Sequence, residues 1–474
     1  MYLTTAQAAE YLGVSDARIR QLIASDDLEA AKQGGIWVVS ADALDRYAQR
    51  AKSGRPTKAE SEKRLKNRTR IYTLMSRQYE VALVAYSPSE VRFTKLEVLD
   101  EQRIPFALKA YTIQDGGLGA LNRWWGNRTI PSSRPDLNAR LRELELESSF
   151  QIPFRNLGLS MSDQYWLCPK GESISWDEVN YYRNHFDMVP AAGLGSISRW
   201  LNAVGLNSPD NTTDGMLSKR WIIDESGRPV LIKSNDEGGR ETINEVIATM
   251  LYRRLLHAGE YVEYRLGKWH GQDVSICESF LHDDEEFIPA WYVLQLKKKP
   301  NNWSEYRLYT QLCFDLKVRD AVGYLDRMLV CDSILANTDR HWGNFGIIRN
   351  VETLKLRPAP IFDSGSSLWS KRSADDLALG NYFFETRPFY DKPQRQLDLV
   401  LDGRWYHPEA LDGFVDEVHD LLAKRYPLSG IADPICRGLE RRIDVVNAWW
   451  RATPTYGLPP EWAEPVEMVE WMWV

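Results

Sequence analysis

The sequence predicts an α+β chain of more than one domain, with a small winged helix-turn-helix unit ahead of a larger mixed part. Three observations predict it. Two short helix signatures and a Gly-Gly turn crowd the first 50 residues. A strand ending in a lysine, Pro229-Val230-Leu231-Ile232-Lys233, is soon followed by a helix from Glu241. An apolar helix over 321–335 runs into the polar loop Asn337-Thr338-Asp339-Arg340-His341-Trp342-Gly343-Asn344 and then a hairpin.

Bulk properties bound the answer. At 474 residues, two to four domains are expected. A hydrophobic fraction of 43% suffices for ordinary cores, and the 18 Trp read first as packing. A net charge of −7 excludes a polycation, so contact with nucleic acid must come from a local patch. The five cysteines, at 168, 277, 313, 331 and 436, form no C-x-x-C pair. That pattern argues for a reducing compartment and against a thiolate zinc site. No apolar run approaches membrane-spanning length, and Met1-Tyr2-Leu3-Thr4-Thr5 is no signal peptide, so a cytoplasmic protein without membrane contact is expected.

Residues 1–50 read as a winged helix-turn-helix domain. Thr4 to Gly13 is a capped helix closed by glycine. A second helix starts with Ser15 or Asp16 as N-cap, and Ile19, Leu22 and Ile23 would pack on Ala8, Ala9 and Leu12. Gln33-Gly34-Gly35 then turns into the strand Ile36 to Val39, read as a wing, and Ser40 caps a closing helix from Ala41 to Arg50. T-x-x-x-A-A-x-x-L-G-V-S, G-G-x-W and S-x-x-x-L resemble the excisionase/MerR-type winged helix-turn-helix family. The resemblance implies a major-groove helix with Arg18, Arg20 and Gln21 nearest the bases and Ser15 near phosphate. Residues 1–50 hold 5 Arg/Lys against 7 Asp/Glu, which favours a protein-docking module of the same shape instead. The basic linker, residues 51–70, shifts the balance to DNA: Arg50 to Arg70 carries nine Arg/Lys against two Glu.

Residues 71–200 form an accessory α+β region. Strands are expected at Tyr79–Tyr86 and Val91–Val98, a helix at Leu121–Arg128, and a loop at 130–135. No catalytic constellation stands out there.

The chemistry lies further on. Asp339 and Asn344 stand at the interval of H-R-D-x-x-x-x-N, where a kinase Asp meets the acceptor hydroxyl and the Asn holds metal. The hairpin over 345–362 should bring Asn344 beside Asp363, and Asp363-Ser364-Gly365 stands where kinases carry D-F-G. Two hard oxygen donors suit Mg²⁺. Lys233 ends its strand like the kinase V-A-I-K lysine. Helix 241–251 would bury Ile243, Val246, Ile247, Met250 and Leu251, leaving Glu241 or Glu245 to pair with Lys233, and Glu245 is favoured. The polar loop Thr212-Thr213-Asp214-Gly215 could lay backbone N–H groups over phosphates.

Residues 200–450 resemble HipA-type and CtkA-like serine/threonine kinases. D-R-H-x-x-N is also the wording of phosphatidylinositol-3-kinase-like enzymes. T-x-x-G-x-x-x-K at 212–219 matches the HipA loop, and Asn244-Glu245 matches the helix motif after the lysine. Asn156 to Trp166 resembles the accessory part of HipA-like proteins. The resemblance implies a two-lobed protein-kinase-like fold, with an N-lobe at 201–290 and a C-lobe with C-terminal helices at 291–474. It implies ATP and Mg²⁺ as cofactors and catalytic Asp339, Asn344, Asp363 and Lys233. ATP would be bound by Lys233, Glu245, Thr212, Thr213 and Gly215, and metal by Asn344 and Asp363. Arg340 and His341 would support the loop, and Thr212 is the autophosphorylation candidate. It further implies a toxin–antitoxin setting, an unidentified protein substrate, a cognate antitoxin and DNA binding through residues 1–70, for which a homodimer is expected. The alternatives are a nucleotide-sensing regulator with a kinase-like domain, and a small-molecule or lipid kinase. The latter lacks H-G-D and a basic amphipathic helix. A metallohydrolase would need H-x-x-x-H or H-E-x-x-H, absent here.

Overall fold

The structure, a computed structural model, describes residues 2–25, 27–52, 68–110, 116–129, 146–184, 219–234, 240–269, 271–425 and 428–452, with 138, 141 and 142. Thr212, Thr213, Gly215, the loop 130–135 and most of the basic linker, including Lys63, Arg64 and Lys66, lie outside the described residues. Two compact units result, Met1–Thr69 and Arg70–Val474.

In the first unit, β1 (Tyr2–Thr4), α1 (Thr5–Leu12) and α2 (Asp16–Ala24) precede the wing strands β2 (Ala30–Gln33) and β3 (Ile36–Ser40) and the closing helix α3 (Ala41–Lys52). Local chemistry sets the helix limits. The Thr4 hydroxyl accepts from the Gln7 amide while the Gln7 side chain accepts from the Thr4 amide, a reciprocal cap. Gly13 closes α1 at φ +67°, a conformation that disfavours a side chain. Ala8, Ala9, Ile19, Leu22, Leu28, Val39, Ala43 and Leu44 form the core. Strand β1, which the sequence does not announce, pairs Tyr2 with Ser40 and makes the wing a three-stranded sheet.

The second unit starts with an antiparallel sheet of order β6-β5-β4-β7, built from β4 (Arg70–Ser76), β5 (Tyr79–Ser87), β6 (Arg92–Val98) and β7 (Tyr165–Pro169). Helix α4 (Leu118–Gly126) packs on it through Leu121, Trp124 and Trp125. The next sheet, of order β10-β11-β9-β8, joins β8 (Lys219–Ile223), β9 (Pro229–Ser234), β10 (Tyr264–Trp269) and β11 (Gln272–Glu278), with α5 (Glu241–Leu255) in contact with β10 and β11.

After residues 279–284 comes a mainly helical lobe: β12 (Glu285–Pro289), α6 (Ala290–Leu294), α7 (Glu305–Asp315), α8 (Ala321–Leu335), the hairpin β13 (Gly346–Asn350) and β14 (Leu356–Pro358), then α9 (Ala374–Ala378), α10 (Pro393–Leu397), α11 (Phe414–Ala423) and α12 (Ala432–Ala452). Strand β12 pairs with β13, and Gly346 is required because a Cβ there would stand 2.1 Å from the Ile288 carbonyl oxygen. The largest core joins α5 to this lobe through Ile243, Ile247, Leu251, Leu325, Met328 and Phe345. Helix α5 departs from its expected single apolar stripe. Glu241, Thr242, Asn244, Glu245 and Thr249 are buried as well, because the helix is enclosed between sheet and lobe.

The accessory sheet is braced on both lobes. Trp221 and Ile223 of β8 pack against the cluster of Met161, Trp166 and Trp176. On the other lobe, buried Arg349 pairs with Glu286 and donates to the Tyr165 hydroxyl (2.6 Å) and the Gln102 carbonyl (2.8 Å). Among the described residues no helix is long and apolar enough to cross a membrane.

Candidate active site

The register of the first two N-lobe strands decides the site. Lys219 on β8 stands directly opposite Lys233 on β9. Two like charges facing across a ladder destabilise it unless an anion joins them. Asp363 is that anion. Lys233 Nζ lies 2.6 Å from Asp363 Oδ1, and Lys219 Nζ lies 3.7 Å from Asp363 Oδ2. Lys233 also donates to Glu245 Oε1 at 2.6 Å and to the Tyr264 hydroxyl at 3.1 Å. Glu241, the other candidate partner, is buried on the same helix, but the lysine's carboxylate there is Glu245.

Burial raises the stakes of each contact. Burial works against the Lys233 ammonium, but Asp363 and Glu245 hold its pKa well above the usual lysine range. Burial also opposes the Asp363 carboxylate, yet Lys219 and Lys233 pull it far below the usual range. Glu245 is shifted upward by burial and receives less help, because it shares its ammonium with Asp363.

Glu245 does a second task. Its Oε2 accepts from the Ser364 amide at 2.9 Å, so one carboxylate ties the lysine to the residue after Asp363. Neighbouring Asn244 donates to the carbonyls of Gly365 (3.0 Å) and Ser367 (2.7 Å). Gly365 is pressed on this helix: a Cβ would come 3.0 Å from the Glu241 carbonyl oxygen. Asp363 itself has φ +57°, a conformation that costs a non-glycine residue about 1 kcal/mol or more. The surrounding contacts hold it there, which aims the carboxylate into the cavity.

Helix α8 delivers the loop. It ends at Ala336 with φ +51°, and Asn337 donates to Asp332 Oδ1 at 2.9 Å. Arg340, 0% exposed, forks onto Asp332 (Nε–Oδ2 2.8 Å, Nη2–Oδ1 3.0 Å). Its Nη1 donates to the carbonyls of both Asn344 (2.9 Å) and Phe362, and its Nη2 to the Ser364 hydroxyl (3.0 Å). The guanidinium therefore clamps together the start and the end of the hairpin, so Asn344 and Asp363 enter the site from adjacent backbone. Asn344 donates through Nδ2 to the Asp339 carbonyl at 2.9 Å. His341 accepts from the Gly343 amide through Nδ1 at 3.0 Å. Asp339 stands 38% exposed, 3.6 Å from the Arg387 guanidinium.

These residues border one cavity of about 790 Å³. Lys219, Lys233, Glu241, Asp339, Asn344 and Asp363 line one part. Glu278 to Leu281, between the lobes, line another, and Trp124, Arg128 and Met161 of the accessory region line a third. The size and the mixed lining suit a nucleotide-sized molecule. Asp363 and Asn344 offer hard oxygen donors, the set Mg²⁺ takes when phosphates and water complete its shell. Among the described residues no three His, Cys, Asp or Glu form a closed metal cage.

Sequence reasoning singled out Lys233, Glu245, Asp339, Arg340, His341, Asn344 and Asp363, and the structure places all of them at or beside this cavity. It missed Lys219, whose only signal is its place at the end of T-x-x-G-x-x-x-K. Asn244 shows in the sequence as half of the Asn244-Glu245 match, without its hold on the Gly365 and Ser367 carbonyls, and Tyr264 and Arg387 left no signal.

The helix-turn-helix unit carries the second candidate site. On α2, the Arg18 guanidinium donates to Gln21 Oε1 (2.7 Å) and Arg20 pairs with Asp16 (2.8 Å), both at the surface. Ser15, expected near phosphate, uses its hydroxyl to accept from the Arg18 amide at 3.2 Å as the helix N-cap.

Residues 2–52 match the family model of a helix-turn-helix domain. The chain is 46% identical over 123 residues to the serine/threonine-protein kinase CtkA of Helicobacter pylori, a match covering 24% of this chain and 37% of that protein. It thus spans little more than a third of that curated relative. Among solved structures, the Helicobacter pylori proinflammatory kinase CtkA aligns with TM-score 0.38 at 16% identity, over 50% of this chain and 93% of that one. The HipA, HipB and operator DNA complex of a Shewanella oneidensis MR-1 toxin–antitoxin system aligns with TM-score 0.46 at 11% identity, over 81% of this chain and 100% of that one.

Proposed function

We propose that residues 219–452 carry an ATP-dependent serine/threonine protein kinase, and that the helix-turn-helix unit binds DNA in the same chain. The supporting observation is the gathering of Lys233, Asp363, Asn344 and Asp339 on one cavity, with Glu245 behind Lys233, an arrangement that suits phosphoryl transfer. The serine/threonine kinase activity for which CtkA is named supports the same reading for the part of the chain that matches it.

In this reading Lys233, aimed by Glu245, holds phosphate oxygens of ATP, and Lys219 adds a second cation beside it. Asp363 and Asn344 would hold Mg²⁺, which would neutralise charge on the phosphates. Asp339 accepts the proton of the incoming hydroxyl. The hydroxyl oxygen bonds to the γ-phosphorus, the bond from that phosphorus to the ADP oxygen breaks, and the proton leaves through Asp339. Arg340 reaches neither reactant; it keeps the two ends of the hairpin in register. Thr212 is the proposed acceptor within the chain, and a separate antitoxin its proposed restraint.

Incubating the purified chain with γ-labelled ATP and Mg²⁺ tests the reading. Label should appear on serine or threonine of the chain or of an added protein, with mass spectrometry locating the site. ATP binding without transfer would overturn it in favour of a nucleotide-sensing regulator.

A further inference from the structure

Arg387 pairs with Asp339, and no part of the kinase pattern explains it. Its guanidinium lies 3.6 Å from Asp339 Oδ1 and is 61% exposed, close enough to pair but outside hydrogen-bonding distance. The backbone beneath it is fixed. Gln396, buried on α10, donates to the Arg387 carbonyl and accepts from the Tyr390 amide at 2.9 Å. The Thr386 amide donates to the Asp391 carbonyl (2.8 Å) and its hydroxyl to the Tyr390 carbonyl (2.9 Å). Phe389 packs edge-on against Trp342 (5.3 Å) and Tyr306 (5.1 Å), so this loop rests on the loop that carries Asp339. An anchored backbone with a free cationic end is what positioning a charge requires.

Charge builds on the transferred phosphoryl group between the donor and the acceptor oxygen. The ammonium of Lys233 is already shared by Glu245 and Asp363 at the far side of that group. On the acceptor side, among the described residues, the cation paired with Asp339 is Arg387.

We propose that Arg387 is a catalytic residue of the kinase reaction: its guanidinium leaves Asp339 for the oxygens of the phosphoryl group as the group passes to the acceptor. The proposal rests on the kinase reading above. Once the acceptor hydroxyl takes up the Asp339 carboxylate, the arginine is released to the phosphoryl oxygens. A guanidinium offers two parallel donors to such oxygens, which an ammonium does not.

Steady-state transfer by the full chain tests this with Arg387→Ala, Arg387→Lys and, as a control for a nearby surface charge, Arg395→Ala, whose side chain stacks on Tyr390. Arg387→Ala should lower kcat roughly 10²- to 10³-fold with KM for ATP within a few-fold, an effect below that of a full arginine finger. Arg387→Lys should recover part of the loss, added guanidinium ion should rescue Arg387→Ala, and Arg395→Ala, on the adjoining helix α10, should stay within about two-fold. Unchanged kcat in Arg387→Ala overturns the proposal, and so does a rise in kcat, which would make the contact a block on Asp339. An inactive parent overturns the kinase reading together with this proposal; an active parent with an indifferent Arg387 overturns this proposal alone.

Discussion

At Lys233 an ammonium and the Glu245 carboxylate are sealed together, with Asp363 beside them partly open to the cavity; at Asp339, on the same cavity, a carboxylate and its arginine stand in water. The Lys233 and Glu245 side chains are 4% and 3% exposed and bond at 2.6 Å. Asp339 and Arg387 are 38% and 61% exposed and stand 3.6 Å apart. Where water is excluded, each charge depends on its partner, and removing one costs about 3–5 kcal/mol because the other remains buried. Where water has access, a pair is worth about 0–1 kcal/mol. The sealed end can hold geometry through a reaction cycle. The open end can exchange partners with a substrate at almost no cost to the fold.

Lys233→Met is the largest test of that difference. It leaves Glu245 and Asp363 facing each other with Lys219 as the remaining cation. Stability should fall by about 3–5 kcal/mol, read from the urea midpoint, and phosphoryl transfer should vanish. A variant as stable as the parent would show that the cluster is better hydrated than its burial implies.

Asp339→Asn tests the other end. It should lower kcat roughly 10²- to 10⁴-fold while ATP affinity stays within a few-fold, because in the proposed reaction the carboxylate meets the acceptor rather than the nucleotide. Stability should move by no more than about 0.5 kcal/mol. A loss of ATP affinity equal to the loss of rate would contradict that role.

The same divide explains what the sequence reveals. The helices of the helix-turn-helix unit are legible, because Thr4, Gly13, Ser15 and the Ile19–Leu22–Ile23 spacing act within a few residues of where they stand, whereas strand β1 is seen only through its pairing with β3. The hairpin from 345 to 362 is legible because alternation and turn chemistry fix which ends meet, and Asp363 follows from that. Lys219 and Tyr264 are not legible. They reach the site through strand pairing, and a cross-strand neighbour leaves no periodic sign in its own segment. Arg387 reaches Asp339 from a loop far along the chain. Helix α5 misleads in a different way. Polar residues normally mark a water-facing side, but here Asn244 and Glu245 face the D-S-G segment inside the protein.

In a third environment burial outweighs the other influences. Asp326 on α8 is buried and accepts from the Leu401 (3.0 Å) and Asp402 (2.9 Å) amides, and among the described residues no lysine or arginine is bonded to it. Burial pushes its carboxyl up to about 7, where Asp363 with its two lysines goes down. An unfolded aspartate titrates near ~4. Between about pH 4 and 7 the folded chain therefore keeps a proton that the unfolded chain has lost, so raising the pH through this window costs stability. The stability of the parent minus that of Asp326→Asn should shrink by roughly a few kcal/mol at most across the window and stay level above it. A difference that does not change with pH would mean that the two amides keep Asp326 ionised throughout.

The smallest effect on folding belongs to the exposed pair of the other unit. Arg20 and Asp16 on α2 are 68% and 39% exposed and sit one helical turn apart at 2.8 Å. Such a pair contributes about 0.3–0.5 kcal/mol, so Arg20→Ala should barely move the melting of the helix-turn-helix unit. If α2 enters a major groove, the same substitution should weaken specific DNA binding by roughly 1–3 kcal/mol, because Arg20 would give up Asp16 for a base edge, as Arg387 would give up Asp339 for a phosphoryl oxygen. Asp16→Asn sharpens the point. It frees the arginine and removes a negative charge from the interface, so DNA binding should tighten while the fold stays intact. Should Arg20→Ala bind the promoter of its own gene as tightly as the parent in a gel shift, the Arg20–Asp16 pair is not opened by DNA, and the unit is better read as a docking module for another protein.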